Sequence, residues 1–143
     1  MNMFKLRDLE FSIKKAIIKG TIESGFLNCF IEVDMNSIVK DGENWPPRLC
    51  HQGLKIKANS WEELPGTKIE YESAYVGKYD HPEIGMLYVF GHEETRKNII
   101  EFGPIENGEI CFKWEGVNNV WWDKEYGDDV PFKLDCKLEI YNA

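Results

Sequence analysis

The chain is 143 residues long, 43% hydrophobic and 13% aromatic, with a formal net charge of −8. This is the length of one domain able to build its own core, and the composition is not that of a disordered chain. Residues 101–143 hold ten acids and four lysines, against fifteen acids and thirteen bases in residues 1–100. An acidic excess in the last third argues against nucleic acid or an anionic membrane as partner, since both need a basic face.

No linker or repeat divides the sequence, so residues 1–143 are read as a single domain. No run approaches the ~18–20 apolar residues of a membrane helix. The opening MNMFKLRDLEFSIKK has no continuous apolar stretch and no small-residue cleavage site, so it does not read as a secretory signal. A cytoplasmic protein is the expectation.

In chain order, Phe11 and Ile13 begin an inward face, the phase slips through Lys14 and Lys15, and Ala16, Ile18 and Ile22 continue it. A slip of one residue predicts a bulge. Leu27, Cys29, Ile31, Val33 and Met35 form a second alternating face. Residues 36–53, with Gly42, Trp45-Pro46-Pro47 and Gly53, read as the longest irregular piece, the kind of loop that carries function. Trp45 within it is read either as core or as an exposed anchor.

Strands are also predicted at 54–58, 67–73, 85–90, 98–102, 109–115 and 119–123. Ser60-Trp61-Glu62-Glu63 has the form of a capping box, ended by Pro65-Gly66 within one or two turns. The 85–90 segment is apolar on both faces and reads as a central strand. Residues 92–97 are read as a helical turn or a charged hairpin loop. Asn107-Gly108 is a tight-turn signal. Trp114, in phase with Phe112 and Ile110, belongs to the core.

The last strand is the clearest: Phe132, Leu134, Cys136, Leu138 and Ile140 share one face and Lys133, Asp135, Lys137 and Glu139 the other. Pro131 fits its first position, where a missing N–H costs little. The expected fold is all-β: an antiparallel β-sandwich or flattened barrel of about 8–9 strands with at most one or two short helical turns.

Chemistry-bearing patterns are sparse. Cys29, Cys50, Cys111 and Cys136 have no zinc-like spacing and read as free thiols in a reducing compartment. Cys50-His51 lacks the geometry and the third group of a nucleophilic site. No phosphate-binding, dinucleotide or serine-hydrolase motif is present. No catalytic residue, metal ligand or cofactor is assigned, and the enzyme question leans to no. The open alternative is a metal-dependent enzyme using His81, His92 and nearby acids.

The stretch Trp121-Trp-Asp-Lys-Glu-Tyr-Gly-Asp-Asp129 stands out. It departs from a calcium loop, since Lys124 and Tyr126 interrupt the oxygen ligands. Three readings remain: a solvated turn, a protein-binding edge, and calcium held by acidic loops at one end of a β-sandwich. Adjacent tryptophans on a strand point to opposite faces. Sharing parity with Val120, Trp122 is expected in the core, leaving Trp121 more exposed. The candidate interaction residues are therefore Trp121, Asp123, Glu125, Tyr126, Asp128 and Asp129, with the two aromatics as anchors in a ring of carboxylates.

The run from Ile110 to Phe132, ICFKWEGVNNVWWDKEYGDDVPF, resembles a pattern found in small uncharacterised bacterial β-proteins. In size, acidity and lack of catalytic motif the chain also resembles, by type, the cytoplasmic immunity proteins of bacterial polymorphic toxin systems. That resemblance implies a non-enzymatic protein that binds and neutralises a basic toxin. A small-ligand or carbohydrate-binding β-sandwich is the alternative. Oligomeric state is left open.

Overall fold

A computed structural model of the chain describes residues 2–72, 85–88, 92–120, 123 and 125–142; of the side chains of Gly85, Met86 and His92 nothing is described. The strands are β1 (Met3–Leu6), β2 (Leu9–Glu23), β3 (Phe26–Met35), β4 (Ile38–Lys40), β5 (Glu43–Trp45), β6 (Arg48–Lys57), β7 (Lys68–Tyr71), β8 (Gly85–Tyr88), β9 (His92–Glu94), β10 (Arg96–Glu106), β11 (Glu109–Val120) and β12 (Gly127–Asn142). One 3-10 turn, Trp61–Glu63, is the only helical piece among the described residues.

Ten strands form one sheet in the order β7-β10-β11-β12-β1-β2-β3-β6-β8-β9, and β4 pairs with β5 as a separate hairpin. Neighbours are antiparallel, with one exception. Four-residue β1 separates β12 from β2, and beyond it these two long strands meet in parallel over Glu139–Asn142 and Ile17–Gly20.

The expected alternation is realised. Leu27, Cys29, Ile31, Val33 and Met35 are buried, as are Phe132, Leu134, Cys136 and Leu138. The phase slip in β2 is a bulge, with the β2–β3 register shifting between Ile13 and Lys15. Asn107 and Gly108 both have positive φ (52° and 78°), the signature of a hairpin turn whose twist matches its strands.

The sheet curls so that one face is dry. His51 of β6 packs its ring 5.9 Å from Trp114 of β11 and 5.7 Å from Tyr71 of β7, although several strands separate these elements within the sheet. Phe132 lies between Phe4 and Trp114 at 6.0 and 6.1 Å, continuing the aromatic stack through the interior. Inward-facing Gly116 is opposite Phe132, whose ring covers it: a Cβ there would meet the ring at 3.0 Å and the Arg96 carbonyl at 2.7 Å.

Curling does not close the sheet into a barrel, because β7 and β9 at its two ends share no ladder. Buried amides work near this seam instead. Asn118 of β11 donates to the carbonyls of Glu93 and Glu94 in β9 (3.2 and 3.0 Å), and Asn98 of β10 donates to Thr95 and accepts from the Trp114 indole (3.0 and 2.9 Å). Each bond satisfies a buried polar group that would otherwise have lost its water.

Several expectations need correction. The sheet has ten strands rather than eight or nine, and it is not a closed barrel; β1 and β9, of four and three residues, are too short for a period to be read from sequence. Residues 36–53 are largely ordered into β4, β5 and the start of β6. Residues 92–94 are strand, Thr95 alone separates them from β10, and the β10–β11 register shifts between Arg96 and Ile99. Ser60 makes no side-chain cap; Glu63 instead reaches back to the backbone N–H of Asn59 (3.1 Å).

Candidate functional site

The acidic turn after β11 meets the β4–β5 hairpin at one end of the molecule. Asp41 and Gly42 have positive φ (52° and 80°), so the hairpin closes in a two-residue turn that leaves Lys40 opposite Glu43. Alternation then places Ile38, Lys40 and Trp45 against the body and leaves Val39 outside, 72% exposed.

Lys40 is the hub. Its side chain is only 12% exposed, and its Nζ donates to Asp123 Oδ2 and Asp41 Oδ2, each at 2.8 Å, with Glu125 at 3.6 Å. The ammonium also sits 5.0 Å from the Tyr126 ring centroid and 5.5 Å from that of Trp45. The bond to Asp123, then that to Asp41, raises the Lys40 pKa above the ordinary lysine value despite its loss of water. The same bond holds the Asp123 carboxyl below its usual range.

Asp123 organises the turn with its other oxygen. Oδ1 accepts from the backbone N–H groups of Glu125 (2.9 Å) and Tyr126 (3.3 Å), and its carbonyl accepts from Gly127 N–H (3.1 Å). This is an Asx-type turn, in which a short carboxylate replaces backbone partners. The turn delivers Tyr126 inward: it is 7% exposed and packs edge-on against Trp45 at 6.1 Å. Its hydroxyl donates to Asp8, which lowers the Asp8 pKa, while burial and then Asp8 raise that of the phenol. Arg7 caps the outer side, 5.0 Å from the ring centroid, with Nη1 donating to the Glu125 carbonyl (3.0 Å).

The six residues expected to form an interaction surface therefore separate. Trp121, and with it the test of which tryptophan is buried, lies outside the described residues, as do Trp122 and Lys124. Asp123 is turned toward Lys40 and the backbone. Tyr126 is buried within its own chain, so little of its ring is left for a partner in this conformation. Glu125 is 64% exposed. Asp128 is exposed, and Asp129, 57% exposed, accepts from Arg96.

Asp128 and Asp129 belong to β12, which begins earlier than expected, at Gly127. Pro131 is thus interior to the strand. It is tolerated beside an irregularity, where Asp129 has φ 52° and the β11–β12 register shifts between Asn118 and Val120.

Sequence reading passed over Lys40, Arg7 and Asp8. Asp41-Gly42 is a hairpin dipeptide that would have marked the β4–β5 turn within the stretch read as irregular, but nothing local links Lys40 to an acid in another third of the chain. The alternative metal reading falls on His81 and the side chain of His92, outside the described residues. His51 is fully buried among aromatic rings, and its Nδ1 lies 3.5 Å from the Gly53 backbone nitrogen.

Fold and site together define an all-β antiparallel sheet protein with a carboxylate-rich end. No family model, no curated protein and no solved structure matches the chain.

Proposed function

We propose that the chain is a non-enzymatic protein-binding domain whose acidic end engages a basic protein, and that its most concrete form is an immunity protein that blocks a cationic toxin. One observation carries this reading. Among the described residues, the cations at this end, Lys40, Arg7 and Arg96, are each engaged by carboxylates or carbonyls of the chain, while Asp41, Glu43, Glu125 and Asp128 remain exposed. A buried ion pair therefore orders the end without neutralising its surface. Exposed like charges raise the association rate with an oppositely charged partner, and salt screens that gain.

The test uses the protein encoded immediately upstream as partner, with association followed by biolayer interferometry at low and high salt. Reversing Asp41, Glu43 and Asp128 to lysine slows association at low salt, and the wild-type rate falls with salt. A partner captured equally well by the reversed variant, with no dependence on salt, would sink the proposal.

A further inference from the structure

The outer face of β1, β12 and β11 carries a cleft of about 410 Å³ lined by Lys5, Arg7, Lys97 and Lys133, with Pro131 and Val117 as its apolar floor. Glu115 is the one acid among the lining residues described. In a chain of net charge −8, this is a local reversal of sign.

Two features of the backbone concentrate the charge there. Lys5 and Lys133 are directly opposite each other in the antiparallel β1–β12 pair, an arrangement of like charges that weakens a sheet. Lys97 has φ 53° at the point where the β10–β11 register shifts between Arg96 and Ile99. A bulge re-aims a side chain, and left-handed backbone in a lysine is a local cost that surrounding structure must sustain.

The existing counter-ions do not absorb this charge. Lys133 lies 3.7 Å from Glu115, and Lys5 lies 3.8 Å from Glu10, with all four side chains well exposed. Both contacts are long for hydrogen bonds, so most ammonium donors face the cleft or solvent. Arg7 is different: its stacking on Tyr126 and its bond to the Glu125 carbonyl hold the guanidinium in place at the rim.

We infer that this cleft binds a small phosphorylated molecule carrying at least two negative charges. Lysines act on phosphate as point charges and arginine as a fixed fork of donors. The volume is in the range of small-ligand sites. An apolar floor beneath a cationic rim suits an organic phosphate, its non-phosphate part resting on Pro131 and Val117. The cleft shares Arg7 with the acidic end, but Asp41, Glu43 and Asp128, whose reversal tests the proposed function, do not line it.

Calorimetric titration of the full chain with sodium pyrophosphate at constant ionic strength tests it. One pyrophosphate binds per chain, and Lys133→Gln and Lys97→Asn each weaken it by about fivefold or more, as expected for loss of one charge-assisted contact. Asparagine is used at position 97 because it tolerates positive φ. Lys55→Gln, on a residue that packs over Phe26 and does not line the cleft, leaves binding unchanged. The inference is overturned by absence of binding at millimolar pyrophosphate. It is equally overturned by binding that both cleft variants retain in full, or by tighter binding of a short oligonucleotide than of pyrophosphate.

Discussion

The Lys40 ammonium donates to Asp123 at 2.8 Å, joining segments 83 residues apart and pinning the β4–β5 hairpin to the turn that precedes β12. Both side chains are only 12% exposed, so each has given up water that the other replaces. Removing either partner leaves the survivor without its counter-charge in a poorly hydrated place. Lys40→Ala and Asp123→Ala are each expected to lower the urea midpoint, and the double variant to lower it little more than either alone. Additive losses in that double-mutant cycle would show that the pair is not coupled.

The buried amides near the seam should matter more than their number suggests. Asn98→Ala strips the Trp114 indole of its acceptor and leaves a buried N–H unpaired, at a cost of about 2 kcal/mol. Asn118→Ala frees the Glu93 and Glu94 carbonyls and should cost a similar ~1–3 kcal/mol, with loss of hydrogen-exchange protection concentrated in β8 and β9. Uniform loss across the sheet would argue that Asn118 is not what holds that end.

Gly116→Ala tests the contact between β11 and its neighbours. The added Cβ would meet a backbone carbonyl, which cannot rotate away as a side chain tip can, and also the ring of buried Phe132. Overpacking of this kind costs ~1–3 kcal/mol. A Phe132→Leu background should recover part of the loss and no more, since the Arg96 carbonyl remains. Chemical denaturation of the single and double variants provides the measurement.

Stability should decline at both ends of the pH scale. Asp123 and Asp8 have pKa values lowered from 3.8, by Lys40 and by the Tyr126 hydroxyl respectively, so their contribution is present above that value and is lost as pH falls through the lowered folded values. Burial pushes the thiols of Cys29 and Cys136 from 9.0 up to about 12, so theirs is present below 9.0 and lost as pH rises toward 12. Urea midpoints across pH should follow both arms. Tyr126→Phe should raise the Asp8 pKa toward the ordinary carboxylate range, read by NMR, and Cys29→Ala with Cys136→Ala should flatten the alkaline arm without abolishing it, since Tyr71 and Tyr126 are also raised.

What could be read from the chain alone was what neighbouring residues decide between themselves. The inward faces at 27–35 and 132–140, the slip near Lys14, the Asn107-Gly108 turn and the burial of Trp114 all follow from period-2 alternation and local turn chemistry. At the candidate site, sequence located the acidic segment and read its carboxylates as a surface. Only the tertiary structure decided that Asp123 turns toward Lys40, that Tyr126 is buried against Trp45, that β12 runs parallel to β2 beyond β1, and that lysines of three strands converge on one cleft. Alternation tells a side chain which face it occupies and is silent about which strand lies beside it. That choice is made by packing between residues far apart in sequence, where no local pattern records the partner.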